Sequence, residues 1–243
     1  MKITNNLTKI RNKISAAEKQ FGRKENSVCL IAVSKTRKIN EIIMAINENQ
    51  RHVGENYCQE AIEKIKAITQ HNVIWHFIGP IQSNKTKQIA HYFDWVHTVD
   101  RIKIARRLDE MRPDNMAPLN ICIQVNTNGE ATKSGLSINE VEDFINELKH
   151  FKRLKVRGLM SLPEIKPSFD EQRNSFSLLK KVFHELEVDN PELDTLSIGT
   201  TREMQTPIAE GSTCVRLGTD VVGPRGRSKH QTYHEPHALL SSH

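Results

Sequence analysis

With 243 residues, 37 % of them apolar, and a mean hydropathy of −0.54, the chain suits one large or two small domains and has no stretch near the ~20 apolar residues of a membrane span. The opening M-K-I-T-N-N-L-T-K-I lacks an apolar signal-peptide core, so a cytoplasmic protein is expected. The net charge of +6 does not by itself imply nucleic acid, because lysines and arginines are spread among acids; the densest basic cluster, Arg225 to His230, reads as a solvated tail.

Residues 4–20 carry Leu7, Ile10, Ile14 and Ala17 at helical spacing. The apolar run Val28 to Val33 predicts a first strand, and Ile39, Ile42, Ile43 and Ile46 predict a helix behind it. A short strand at 51–53 leads into G-E-N-Y (54–57), and Ala61, Ile62, Ile65 and Ile68 mark the next helix. Val73 to Ile78 reads as a strand broken by Gly79-Pro80, and Ser83 or Asn84 is expected to cap the following helix. Trp95 to Val99 is a fourth strand, followed by Ile102, Ala105 and Leu108 at helical spacing.

The second half repeats the pattern. Leu119 to Val125, Leu154 to Met160, Thr195 to Ile198 and Thr213 to Leu217 read as strands five to eight. Ser137 with Glu140, and Ser168 with Glu171, form capping boxes ahead of apolar helical runs. A helix near 202–210 contains Pro207, which is expected to remove a backbone hydrogen bond and kink it.

Eight strands alternating with helices imply parallel strands, and eight units match a single (β/α)₈ TIM-type barrel. One domain over residues 1–228 and a polar tail over 229–243 are expected. No good amphipathic helix follows the eighth strand, so the helix at 4–20 is expected to cover that flank. The four cysteines, Cys29, Cys58, Cys122 and Cys214, show neither C-x-x-C pairing nor zinc spacing and read as reduced core thiols.

The barrel gives certain positions a meaning. Sites in this fold lie at the carboxyl ends of the strands, with phosphate commonly held after strands seven and eight. Those loops are Gly199-Thr200-Thr201 and Leu217-Gly218-Thr219, each pairing glycine with hydroxyls. Alternation turns Val215 and Leu217 toward the helices and Arg216 into the barrel. Lys35, in V-S-K-T (33–36), ends the first strand, which neighbours the eighth on closure. A lysine, an arginine and a phosphate cup suit an aldehyde-bearing phosphorylated cofactor such as pyridoxal phosphate.

The motifs V-S-K-T (33–36), G-E-N-Y (54–57), W-H-F-I-G-P-I-Q-S-N-K (75–85), H-T-V-D (97–100), G-L-M (158–160) and G-S-T-C-V-R-L-G-T (211–219) run in family order from about residue 1 to 228. Together they resemble the pyridoxal-phosphate homeostasis proteins of the YggS/PROSC type. The resemblance implies a barrel similar to the amino-terminal domain of alanine racemase (fold type III), with pyridoxal 5′-phosphate held as a Schiff base on Lys35. It implies that Arg216 faces the pyridine nitrogen and that Gly218, Thr219 and Thr201 bind phosphate. Asn56 falls in the cofactor-facing loop. His76 lies near the ring or serves as a hydrogen-bonded core histidine, and Ser161 lies just past the sixth strand.

The resemblance further implies a carrier or regulator of the cofactor without robust catalysis, with pyridoxal-phosphate-dependent apo-enzymes as recipients. A weak amino-acid racemase or lyase is the alternative. A monomer is expected, with neither membrane nor nucleic acid as partner. The partner-subunit tyrosine base of alanine racemase has no counterpart domain here, and the tyrosines are Tyr57, Tyr92 and Tyr233. Departures from the family pattern are Thr200-Thr201-Arg202-Glu203 after strand seven and Arg227, which stands where a tyrosine is usual.

Overall fold

A computed structural model describes residues 2–69, 71–127, 134–162, 168–199 and 204–222. Eight parallel strands close a barrel in sequence order: β1 (Cys29–Val33), β2 (His52–Glu55), β3 (Ile74–Phe77), β4 (Trp95–Val99), β5 (Leu119–Gln124), β6 (Leu154–Met160), β7 (Thr195–Ser197) and β8 (Cys214–Leu217). Closure runs through β1 and β8, whose register pairs Cys29 with Cys214 and Ala32 with Leu217. The crossover helices are α2 (Ile39–Asn47), α3 (Cys58–Ala67), α4 (Thr86–Tyr92), α5 (Ile102–Met111), α6 (Val141–Leu148), α7 (Phe169–Asp189) and α8 (Gln205–Ala209). The strand–helix rhythm of the sequence is therefore the fold.

The main apolar core lies between strands and helices rather than along the barrel axis. Val53, Phe77, Val96, Ile121, Ile123 and Leu196 point outward to meet Ile46, Ile62, Ile89, Leu108 and Leu179. The alternate strand positions point inward, and many of them are polar: His76, His97, Gln124, Ser197 and Arg216 are all buried. At Gly158 on β6, a Cβ would fall 1.6 Å from the Thr195 carbonyl oxygen, so only glycine lets β7 approach there.

The helix α1 (Lys2–Gln20) closes the flank behind β1 and β8. Its buried stripe, Ile3, Leu7, Ile10, Ile14 and Ala17, packs on Leu30, Ala32, Val215 and Leu217. The segment after β8 does form one short helix, α9 (Thr219–Val222), which adds Val221 to this cluster. One turn cannot cover two strands, and α1 supplies the rest. The carboxylate of Glu18, 2 % exposed, accepts from the Val28 N–H at 2.8 Å and so caps the entry to β1.

Two local expectations change. Pro207 is the third residue of α8, in the first turn, where backbone N–H groups have no intrahelical acceptor, so it neither costs a bond nor kinks the helix. Ser83 and Asn84 lie inside a 3₁₀ turn (Ser83–Lys85) that precedes α4, and neither caps it by a side-chain bond. The box at Ser168 forms as expected, the Glu171 N–H donating to Ser168 Oγ at 3.2 Å. All four cysteines are free thiols. The tail and Arg227 lie outside the described residues.

Candidate functional site

Lys35 sits in the turn that follows β1, half-buried, at the carboxyl-terminal mouth of the barrel. The next residue, Thr36, has φ of 61°, a left-handed conformation uncommon for a β-branched residue. A buried ionic cluster holds the turn from below. Lys64 Nζ, reaching up from α3, donates to the Ser34 carbonyl, Glu55 Oε1 and Glu60 Oε1, each at 2.6 Å. The Ser34 hydroxyl donates to the same Glu55 oxygen, and the Thr36 N–H donates to Glu60. Burial raises the Glu55 pKa, opposed by Lys64. The backbone on both sides of Lys35 is thus fixed while its side chain stays outside the cluster.

Asn56 follows β2 at the same rim. Gly79 has no room for a side chain, since a Cβ would stand 2.0 Å from the Asn56 carbonyl oxygen. This close approach fixes the Asn56 backbone, and its Oδ1 is buried with no hydrogen-bond partner among the described residues. An orphaned acceptor at a strand end awaits a donor.

On the other side of Lys35, Gly218 follows β8. A Cβ there would meet Val33 Cβ at 3.5 Å, so Gly218 lies directly beside the end of β1. Thr219 opens α9 next to it. Thr201 lies outside the described residues.

Arg216 is 5 % exposed and points into the barrel as alternation predicts. Its Nη1 donates to Ser197 Oγ at 2.9 Å and its Nη2 to the Ser161 carbonyl at 3.2 Å. Burial lowers its pKa, and among the described residues no carboxylate pairs with it. A buried guanidinium with neutral partners is an anomaly unless a ligand completes its shell. Ser161 also lines a cleft of about 280 Å³ at the ends of β5 and β6, with Gln124, Val125, Thr127 and Leu162. Lys35 does not line that cleft; the carbonyl of Ser161 links it to Arg216.

His76 is not at the rim. It lies inside the barrel, its Nδ1 2.9 Å from His97 Nε2 and its Nε2 2.9 Å from His52 Nδ1. His97 Nδ1 lies 3.0 Å from Ser197 Oγ, so His76 reaches Arg216 only through two intervening groups. Sequence reading missed this chain and the cluster under Lys35. The available signal was parity: His52, His76 and His97 all fall on inward positions of neighbouring strands.

The chemistry of this donor set fits a phosphorylated aldehyde. An amine stands on a fixed turn, a guanidinium is buried without a counter-ion among the described residues, and a glycine loop lies beside the amine.

Residues 5–226 match the family model described as alanine racemase, N-terminal domain. A pyridoxal phosphate homeostasis protein of Vibrio cholerae is 45 % identical over 231 residues, covering 93 % of this chain and 98 % of that protein. Its counterpart in Escherichia coli K12 is 42 % identical over 230 residues, covering 93 % and 98 %. Among solved structures, PipY of Synechococcus elongatus with PLP bound superposes with a TM-score of 0.78 at 30 % identity, covering 91 % of this chain and 100 % of that one. The chain belongs to the family of pyridoxal phosphate homeostasis proteins, built on the alanine racemase N-terminal domain fold.

Proposed function

We propose that this protein binds pyridoxal 5′-phosphate through a Schiff base on Lys35 and serves in holding and supplying the cofactor rather than in turnover. The observation that carries the reading is Arg216: a buried cation without a counter-ion among the described residues, on the strand next to β1, whose following turn carries Lys35. A pyridine nitrogen is an acceptor, and a phosphate is a dianion. Each supplies what this mouth lacks. The bound form in a relative of 30 % identity, PipY, supports the same cofactor here.

The roles divide by position. Lys35 would hold the cofactor through its Nζ, the nucleophile that the aldehyde group requires. Gly218, Thr219 and Thr201 take the phosphate, with a glycine admitting close backbone approach. Asn56, in the cofactor-facing loop, offers its Oδ1, unpartnered among the described residues, as an acceptor. Arg216 donates to the pyridine nitrogen, and a guanidinium cannot give that nitrogen a full proton.

When bound, the cofactor supplies an electron sink, and it is a poor one while its nitrogen stays unprotonated. This disfavours racemase or lyase turnover and suits a carrier. The protein acts as a monomer in the cytoplasm and passes the cofactor to pyridoxal-phosphate-dependent apo-enzymes.

The test is absorbance. The purified chain mixed with pyridoxal phosphate develops a band near the visible edge that borohydride removes, and Lys35→Ala does not develop it. A band of equal strength in Lys35→Ala, or none in the unmodified chain, overturns the reading. Incubation with a panel of amino acids then separates carrier from enzyme.

A further inference from the structure

The barrel axis holds a continuous polar chain that the cofactor reading leaves unused. From the amino-terminal end it runs His52 Nδ1 to His76 Nε2 (2.9 Å), His76 Nδ1 to His97 Nε2 (2.9 Å), His97 Nδ1 to Ser197 Oγ (3.0 Å) and Ser197 Oγ to Arg216 Nη1 (2.9 Å). Five strands contribute one residue each, and every contact is of hydrogen-bond length. Trp95 stacks against His76 with ring centroids 5.5 Å apart and lies 5.8 Å from His97, walling the chain on one side.

The chain is built of neutral rings. Burial holds His76 well below the ordinary imidazole value, and burial with the nearby Arg216 charge holds His97 down to about 3. A neutral imidazole has one N–H and one bare nitrogen, so each ring donates on one side and accepts on the other. Linked rings must then all point the same way. Two arrangements exist. In one, every N–H faces Arg216; in the other, every N–H faces His52.

Arg216 decides between them. Its only described acceptors are Ser197 Oγ and the Ser161 carbonyl. A fixed cation favours dipoles whose negative ends face it. That places the Ser197 hydrogen on His97 Nδ1, the N–H of His97 and of His76 on Nε2, and the N–H of His52 on Nε2. Asp94 supports the outer end, since its charge acts on His52 from the loop ahead of β4; Arg112 faces Asp94 in turn. On the far side of Trp95, Arg157 lies 4.7 Å from the ring and is paired with Asp194. The thiols of Cys214 and Cys122, pushed up by burial, add no anion near Arg216.

We infer that His52, His76, His97 and Ser197 form a one-directional hydrogen-bond relay that positions Arg216 for its ligand, with all three rings in the Nε2–H form. None of the four touches the ligand; they are positioning residues. With the hydroxyl hydrogen held by His97, Ser197 Oγ presents a lone pair to Arg216 Nη1, beside its side-chain hydrogen bond with Cys214. This rests on the reading of Arg216 as the ligand-facing cation.

Nitrogen-15 NMR of the imidazoles in the full chain without cofactor tests it, with His52, His76 and His97 assigned by single His→Gln variants. The expected spectrum has bare Nδ1 and protonated Nε2 signals for all three rings, and Arg216→Met restores the Nδ1–H form in at least one. Mixed tautomers in the unmodified chain, or a spectrum indifferent to Arg216→Met, overturn the relay. In a second arm, Ser197→Ala is titrated with pyridoxal phosphate and its melting temperature recorded; a folded variant binding about tenfold more weakly is expected from losing a bond to a charged group. Unchanged affinity overturns the positioning role. If the unmodified chain binds no pyridoxal phosphate, the cofactor reading fails while the tautomer result still decides the relay.

Discussion

Lys64 Nζ donates at 2.6 Å to the carbonyl of Ser34, the residue immediately before Lys35. A helix on the outer layer thus fixes the turn on which the candidate Schiff-base lysine stands. The same ammonium pairs with both Glu55, 0 % exposed, and Glu60. Removing one partner of a buried pair leaves an uncompensated charge, which costs about 3–5 kcal/mol. Lys64→Met is expected to lose stability of that order in urea titration, and adding Glu55→Gln is expected to recover part of it. A loss below about 1 kcal/mol would mean that the cluster is solvated rather than buried.

The α1 stripe replaces an ordinary eighth crossover helix. Leu7 is 1 % exposed, against β1 and β8. Leu7→Ala is expected to cost about 2–5 kcal/mol, measured by denaturation, and removing residues 1–20 is expected to lower the melting temperature by many degrees. Unchanged stability in both would contradict the packing of α1 on that flank.

Gly218 separates folding from binding. Its side-chain direction has ordinary van der Waals room, 3.5 Å from Val33 Cβ, and its backbone has no positive φ. Gly218→Ala is therefore expected to fold with stability within about 1 kcal/mol of the parent. The added methyl stands in the proposed phosphate loop, so affinity for pyridoxal phosphate is expected to fall by about tenfold. Equal affinity would remove Gly218 from the phosphate site.

The buried histidines set an acid limit. His97 stays neutral in the folded barrel down to about 3, and His76 is lowered in the same direction, whereas unfolded histidine takes a proton near 6.5. Below that value the unfolded chain binds protons that the folded chain refuses, so stability present above about pH 6.5 is lost as pH falls toward about 3. Each ring contributes a slope of up to about 1.4 kcal/mol per pH unit. Urea midpoints recorded against pH check this, and His97→Gln is expected to flatten the slope.

The outer layer was legible in the sequence because it is apolar and periodic. Leu7, Ile10 and Ile14 announce α1, and the apolar strands alternate with stripes such as Phe176, Leu179 and Phe183. Val215 and Leu217 gave the inward direction of Arg216 by parity alone. The placement of α1 followed from counting one helix too few after β8. What was not legible depends on contacts between residues distant in sequence. His76 pairs with His52 and His97, and only barrel closure brings Ser197 to His97, 100 residues away. Lys64 looks like an ordinary helix lysine until Glu55 is seen beneath it. Pro207 reads as disruptive in a helix beginning near residue 202, but α8 begins at Gln205, which puts Pro207 in its first turn.

The central claim is that one lysine carries the cofactor. Borohydride reduction of the protein mixed with pyridoxal phosphate, followed by proteolysis and peptide mass analysis, tests it directly. A single dominant pyridoxyl adduct is expected on the peptide containing Lys35, absent from Lys35→Ala. A dominant adduct on any other lysine, or cofactor retained without an adduct, would contradict it.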